Sequence, residues 1–454
     1  LKRVLIANRG EIACRVIAAC RGLGLAPVAV YSDADRTARH VRLADEAHPI
    51  GPPRVDRSYL NVEAILEAAR NAAVDAIHPG YGLLSENPAF AEAVTGAGFR
   101  WIGPEPATIA AMGDKGRARA IAADAGVPVL PGSPRFAEVP PEDIAAHAAA
   151  TGFPLLVKAA GGGGGIGMRR VERPEDLAGV IDSTRAMAAR AFGDPTVYLE
   201  RWVPKARHIE VQIFGFGDGR AIHLYERECS VQRRFQKVIE EGPSPAVDPA
   251  TRAAMTGAAV ALAASQNYAG AGTVEFIFDA GTGDFYFLEM NTRIQVEHAV
   301  TEMITGLDLV GMQLRLARGD DFPGVGQDQV GASGHAIEMR VYAENPAKNY
   351  LPAPGKLHLA RYPGGEGIRV DTGFEEGDEI TPHYDPLIAK LIVRGEDRAA
   401  AIARGREALR ETRIEGPATN IALLRAVLEH PAFVAGETFT DFLDIHKSEL
   451  LAPA

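Results

Sequence analysis

Glu275 and Glu289 lie in two short aromatic segments, Val274-Glu275-Phe276-Ile277-Phe278 and Phe285-Tyr286-Phe287-Leu288-Glu289-Met290-Asn291. If Ala280 to Asp284 form a loop, the segments fold into an antiparallel hairpin in which Phe278 faces Tyr286 and Glu275 faces Glu289. Cross-strand neighbours on one face lie roughly 5 Å apart, and like charges there are destabilising unless something neutralises them. Oxygen ligands without histidine or cysteine suit Mg²⁺, or Mn²⁺ in its place, ions that also bind nucleotide phosphates. The competing reading is a solvated hairpin with harmless acids. The aromatic density argues against it, because such strands need burial on at least one side.

Polar residues then recur at every second position, through Glu289, Asn291, Arg293, Gln295 and Glu297. A continued extended backbone would point all five one way. Any half-exposed strand alternates like this, so the weight rests on the roles available: metal ligands, a fixed cation, an amide, and a carboxylate placed to take a proton.

Gly161 to Gly165 could be a flexible linker. They follow the apolar strand pattern Leu155-Leu156-Val157-Lys158 and precede a second one, Met168-Arg169-Arg170-Val171. That context predicts a hairpin tip whose backbone N–H groups close over phosphates, a mobile glycine-rich lid on ATP. It is not a Walker A loop, where lysine follows the glycines and opens a helix. Residues 226 to 241 mix both signs of charge around a short apolar element; Arg233 and Glu241 read as solvated, and Lys237 acquires a role only from the resemblance below.

Around these residues the chain organises simply. Val4 to Ala7, a helix from about Gly10, Val28 to Tyr31, a helix from about Asn61, Ala76 to His78 and Trp101-Ile102 predict βαβ units and a doubly wound parallel sheet. Its one nearby G-x-G, Gly22-Leu23-Gly24, ends a helix, so no dinucleotide fingerprint is present. A small unit from about 130 to 203 has Pro- and Gly-punctuated ends suited to hinges. A strand-rich region follows, and the last helical stretch is expected at Ala399 to Leu409. No internal repeat is visible.

With 454 residues, about three structural units are expected. A formal charge of −11 argues against non-specific adhesion to nucleic acid or anionic membrane. Cys14, Cys20 and Cys229 are too few and too irregularly spaced for a disulfide framework or thiolate metal site, which points to buried inert thiols in a reducing, cytoplasmic compartment. No apolar run reaches the roughly 18 residues of a membrane span.

Six ordered motifs now combine: Leu5-Ile6-Ala7-Asn8-Arg9-Gly10-Glu11-Ile12-Ala13; His78-Pro79-Gly80-Tyr81-Gly82; Met112-Gly113-Asp114-Lys115; the glycine run; Gln232-Arg233-Arg234 with Gln236-Lys237; and Glu289 through His298. Together they resemble biotin carboxylase from residue 1 to about 450. The resemblance implies an α/β, ATP-grasp fold in three parts: a Rossmann-like parallel-sheet domain (1–112), an ATP-grasp region containing the lid (113–330), and a mixed α+β C-terminal domain (331–450). It places Lys115, Lys158, Gly164 and Gly165 on nucleotide phosphates. Glu200, Arg201, Trp202, Val203 and His208 fall around adenine and ribose, with Gln232 and Phe235 also at the nucleotide. Glu275, Glu289 and Asn291 fall on magnesium.

By the same resemblance Glu297 is the base for bicarbonate, and Lys237, Arg293, Gln295 and the Val296 backbone form the cradle for bicarbonate and carboxyphosphate. Arg340 stabilises the enolate-like anion of biotin. The partners implied are bicarbonate, a biotin carboxyl carrier, a carboxyltransferase, and a second copy of the chain in a homodimer. Phe235 stands where many members carry histidine, and Ile166 where arginine is frequent, which affects nucleotide contacts rather than the metal or base residues. None of the eight methionines precedes lysine, so the biotin-bearing Met-Lys dipeptide is expected outside these residues. Acyl-CoA, pyruvate and urea all stay open as acceptors, acyl-CoA being the commonest setting. Another ATP-grasp ligase would explain the lid and acids equally well, but would not need the Arg293 to Glu297 array together with Arg340. A nucleotide-binding scaffold without turnover is the non-enzyme alternative.

Overall fold

The computed structural model describes residues 1–136, 141–160, 167–322 and 325–452. Arg3–Ile6, Ala26–Ser32, Glu46–Gly51, Ala76–His78 and Arg100–Trp101 form an all-parallel sheet in which the first strand lies between the second and fourth. Strand order therefore reverses beside Arg3–Ile6, the place where a crevice opens at the carboxyl ends of such strands. Asn8 follows one of the flanking strands and Pro79-Gly80-Tyr81 the other. The Asn8 amide ties them, donating to the Pro79 carbonyl at 2.7 Å and the Tyr81 carbonyl at 2.8 Å. Gly80, at φ +65°, makes room: a Cβ there would come within 2.8 Å of the Asn8 amide nitrogen. Helix Gly10–Gly22 ends where the glycine pair predicts.

A small antiparallel sheet, in the order Met168–Val171, Leu155–Ala159, Val197–Arg201, corresponds to the hinged unit. Leu155, Val157 and Leu199 alternate inward on Ile144, Leu177 and Ile181 to give it a core of its own. Gly164, Gly165 and Ile166 lie outside the described residues.

The largest element is an eight-stranded antiparallel sheet. Its order is Phe285–Asn291, Ala269–Asp279, Ala206–Phe216, Ala221–Arg233, Gln236–Gly242, His335–Tyr342, Leu387–Gly395 and Ile368–Thr372. It is continuous across residue 330, because Ile239 pairs with Met339 and Glu240 with Glu338. Separate apolar cores pack on its two halves, one around Phe276, Met255 and Leu262, the other around Leu391, Leu424 and Phe433.

Two expectations fail here. Helices continue past Leu409, at Ile421–Glu429, Pro431–Val434, Phe442–Ile445 and Lys447–Leu450. Arg233 and Glu241 are not solvated. Glu241 is 2% exposed and pairs with His335 at 2.7 Å and Arg398 at 2.6 Å, while Arg233 pairs with Glu344. Their strands are interior to the wide sheet, so charged side chains there are buried and must find partners. All three cysteines are buried and unpaired; burial pushes Cys14 and Cys20 up to about 12. No helix among the described residues is long and apolar enough to cross a membrane.

Candidate active site

Glu275 does lie directly opposite Glu289, by a different route from the simple register. Phe278 pairs with Phe285, not Tyr286, and Phe276 pairs with Phe287; a bulge at Leu288 then restores Glu275 to Glu289. The turn is one residue tighter than expected, and the bulge supplies the missing residue on the second strand. Phe276, Phe278 and Phe287 are buried, so one face of this hairpin is core.

Glu275 is fully engaged. Its Oε1 accepts from Lys237 Nζ at 2.8 Å, Asn291 Nδ2 at 2.9 Å and Gln295 Nε2 at 2.8 Å, and its Oε2 meets His208 Nε2 at 2.8 Å. Burial alone would raise its pKa; Lys237 and His208 outweigh that and hold it well below the usual carboxylate range. Glu289 differs: burial, and then the charge of Glu275, push it up. Among the described residues it has no ion-pair partner. A carboxyl group facing a like charge, with an amide oxygen at Asn291 beside it, is the donor set a hard divalent cation would satisfy. Glu289 is thus placed for a magnesium ion, which Glu275 and the Asn291 oxygen would join in exchange for hydrogen bonds from Lys237 and Arg293.

The alternation from Glu289 to Glu297 is not one extended strand. The strand stops at Asn291, and residues 292–297 run irregularly into helix His298–Thr305. Their side chains converge nonetheless, because hydrogen bonds replace the strand's periodicity. Arg293 donates to Asn291 Oδ1 at 2.9 Å and to Glu86 at 2.9 Å, and the Thr292 N–H donates to the same Glu86 at 3.1 Å.

Lys237 is the hub. Its three ammonium protons meet Glu210 at 2.6 Å, Glu275 at 2.8 Å and Glu297 at 2.7 Å. Burial opposes its charge, but the three carboxylates outweigh burial and hold it well above the ordinary lysine value. The other oxygen of Glu297 accepts from Arg340 at 2.9 Å. Burial disfavours the Glu297 carboxylate, and Lys237, Arg340 and Arg227 more than reverse this. Glu297 is therefore anionic and aimed by two cations. Behind Arg340, Glu240 also pairs with the guanidinium, and burial pushes Glu240 up to about 7. Arg293, Val296 and Arg340 line a cavity of about 510 Å³ with Tyr81, Gln236 and Tyr384, at the crevice beside Asn8 and Gly10. A cavity that size accepts a small cofactor or ligand.

The nucleotide candidates are spread over the small sheet and its surroundings. Lys158 pairs with Glu200, and Arg119 lies 3.6 Å from the same carboxylate. Trp202 lies under the Arg170 guanidinium at 4.9 Å, Val203 is buried, and Arg201 is exposed. Lys115 opens a helix capped by Asp114, whose carboxylate accepts the Arg117 N–H at 2.8 Å; Lys115 is exposed, and its charge reaches Glu289. His208 is buried on Glu275, on the metal side of the group. Gln232 is cross-strand from Lys237. Phe235, 60% exposed, forms with Arg234 a turn in which both have positive φ, +65° and +47°.

Sequence reasoning missed Glu86, Glu210, Arg227 and Lys390. Lys390, fully buried, donates to the Val296 carbonyl at 2.7 Å and lies 3.3 Å from Glu11 and 3.6 Å from Asp371. For Glu210, Arg227 and Lys390, charges inside β-rich runs were the available signal; Glu86 lies in a turn and had none.

Comparison with known proteins gives three consecutive family matches: the biotin carboxylase N-terminal domain over residues 1–109, the ATP-binding domain of the carbamoyl-phosphate synthase L chain over 114–324, and the biotin carboxylase C-terminal domain over 338–445. The α subunit of mitochondrial methylcrotonoyl-CoA carboxylase from Oryza sativa subsp. japonica is 50% identical over 453 residues, covering 100% of this chain and 61% of that protein. The chain thus spans less than two thirds of that relative. Biotin carboxylase of Halalkalibacterium halodurans is 50% identical over 446 residues, covering 98% of each. Among solved structures, the biotin carboxylase domain dimer of Hydrogenobacter thermophilus 2-oxoglutarate carboxylase, in complex with MgADP, ADP and bicarbonate, superposes with a TM-score of 0.93. It is 43% identical and covers 100% of this chain and 99% of that one. The fold is ATP-grasp, and the chain belongs to the biotin carboxylase family of ATP-dependent ligases.

Proposed function

We propose that this chain carboxylates biotin presented on a separate carrier protein or domain, using ATP and bicarbonate, as the first half-reaction of a biotin-dependent carboxylase of the acyl-CoA type. One observation carries the reading: Glu297 is held anionic between Lys237 and Arg340, beside a cavity walled by Arg293, Val296 and Arg340.

Glu297 takes the bicarbonate proton, and the freed oxygen attacks the γ-phosphorus of ATP, forming a new P–O bond as ADP leaves. Lys237 and Arg293 bind the anion, a guanidinium being well shaped for planar oxyanions. Magnesium, which Glu275, Glu289 and Asn291 would hold, neutralises phosphate charge when bound. Lys115, Lys158, Gly164 and Gly165 take the phosphates; Glu200, Arg201, Trp202, Val203, His208, Gln232 and Phe235 complete the nucleotide site. Carboxyphosphate divides into CO₂ and phosphate, the phosphate removes the ureido proton of biotin, and Arg340 stabilises the anion that attacks CO₂.

The division at about residues 112 and 330 belongs to this reading, as do a homodimer, a carboxyltransferase partner and the cytoplasm. The rice relative supports the acyl-CoA assignment, the Hydrogenobacter domain supports the dimer, and three unpaired thiols support a reducing compartment. The test is bicarbonate-dependent ADP release with and without free biotin. Release that biotin does not stimulate removes the proposal; release dependent on another acid assigns the chain to a different ligation.

A further inference from the structure

Arg227 is fully buried in strand Ala221–Arg233, and all five of its N–H groups are used. Nε donates to Glu210 Oε1 at 2.6 Å, and Nη1 donates to Gln212 Oε1 and Thr301 Oγ1, both at 2.8 Å. Nη2 donates to Gln295 Oε1 at 2.9 Å and to Thr273 Oγ1 at 3.4 Å. Among the described residues, no other side chain is seen to tie the wide sheet to both the irregular Arg293–Glu297 segment and the helix after it.

The contacts have a consequence for direction. A guanidinium offers only donors, so the atom of Gln295 that faces Arg227 must be oxygen. The Glu275 carboxylate only accepts, so the atom of Gln295 that faces it must be nitrogen, as found at 2.8 Å. The amide is therefore locked from both ends, with its oxygen on Arg227 and its N–H on Glu275. Glu210 is treated similarly: Arg227 holds one oxygen, and the other receives Lys237 at 2.6 Å. Arg227 touches no reacting atom, yet it is one hydrogen bond from Gln295 and, through Glu210, two from the Lys237 ammonium.

We infer that Arg227 is a positioning residue for bicarbonate, holding the Gln295 amide with its N–H on Glu275 and setting Glu210 as the spacer that aims Lys237. The inference rests on the proposed reaction. Without Arg227, Gln295 is held by Glu275 alone, and Glu210 loses the donor that fixes it opposite Lys237. Lysine at 227 keeps the charge for Glu210 but bears its three donors on one atom, so it cannot serve acceptors spread over four elements.

In bicarbonate-dependent ADP release, Arg227→Lys is expected to raise the KM for bicarbonate at least tenfold while the KM for ATP moves less than threefold. In a Gln295→Ala background the same substitution should add almost nothing. A rise shared equally by both substrates, or an additive effect in the double variant, marks Arg227 as merely structural and overturns the inference. If Arg227→Lys does not fold, Thr301→Val decides, since it removes one anchor of the guanidinium and leaves Arg227 in place. It should raise the bicarbonate KM a few-fold with ATP unaffected, and an unchanged KM rejects the idea. A wild-type protein with no bicarbonate dependence removes both readings; one with it whose variants keep their bicarbonate KM removes only this one.

Discussion

Replacing Glu297 with glutamine separates the chemical use of that carboxylate from its use as glue. The two oxygens of Glu297 accept from Lys237 at 2.7 Å and Arg340 at 2.9 Å, and the residue is 2% exposed. In Glu297→Gln one oxygen becomes an NH₂ that must face a cation, so one charge-assisted bond is lost and the other becomes weaker. Such bonds contribute about 1.5–3 kcal/mol each, and neutral ones about half, which gives a stability loss of roughly 2–4 kcal/mol. For a unit of about 200 residues this is a fall of roughly 5–15 °C in Tm. The remaining partners limit the damage, since Lys237 keeps Glu210 and Glu275, and Arg340 keeps Glu240. Loss of the base should cost about 10²–10⁴ in turnover, equivalent to about 2.7–5.5 kcal/mol of barrier. The KM for ATP should change little, because Lys158 and Glu200 lie on a different sheet. Steady-state ADP release at a temperature well below the variant's Tm, alongside a thermal melt, measures both. Turnover within tenfold of wild type would show that Glu297 is not the base, whatever the melt does.

Three further outcomes are expected. Phe235→His should lower the KM for ATP several-fold in steady-state ADP release and raise Tm slightly, because histidine restores a polar contact and tolerates the left-handed conformation better than phenylalanine; an unchanged KM means that the turn does not reach the nucleotide. Arg398→Met strips Glu241 of a bidentate partner at 2.6 and 2.9 Å and should cost about 3–5 kcal/mol in urea unfolding, partly recovered by adding Glu241→Gln; no recovery would show that the loss is not the unpaired charge. Burial holds His40 and His78 neutral, each depressed from 6.5 to about 4. The unfolded chain therefore binds protons first as the pH falls, so stability present above about pH 6.5 is lost on the way down, by roughly 3 kcal/mol for each histidine near pH 4. His78→Asn should flatten that acid limb in denaturant titrations, and an unaltered limb would count against the assignment.

Much of the site was legible because its partners are close in sequence. Glu275 and Glu289 belong to one hairpin, and the short loop between them makes their pairing a matter of counting. The count was nevertheless off by one at the turn and off by one again at Leu288, and the two differences cancel. No residue type announces a bulge of that kind. Arg293, Gln295 and Glu297 were grouped on a false premise: after the strand has ended they are held by hydrogen bonds, Arg293 to Glu86, Gln295 to Glu275 and Arg227, and Glu297 to Lys237 and Arg340. Glu210, Arg227 and Glu241 stayed hidden because a charged residue in a β-rich run resembles a solvated face until the width of the sheet is known. That width depends on His335–Tyr342 joining Gln236–Gly242, a pairing between strands far apart in the chain. Long-range pairings carry no local signal of register.

Lys390 gives the site a timetable. Its ammonium grips the Val296 carbonyl across 94 residues of sequence and sits between Glu11, near the beginning of the chain, and Asp371. During synthesis the segment that holds Glu297 emerges well before the lysine that fastens it. The nascent protein thus passes through a stage in which the hairpin of Glu275 and Glu289 can form while Val296 still lacks its latch. The latch on the segment before Glu297 therefore closes only after the C-terminal strands dock against the first helix.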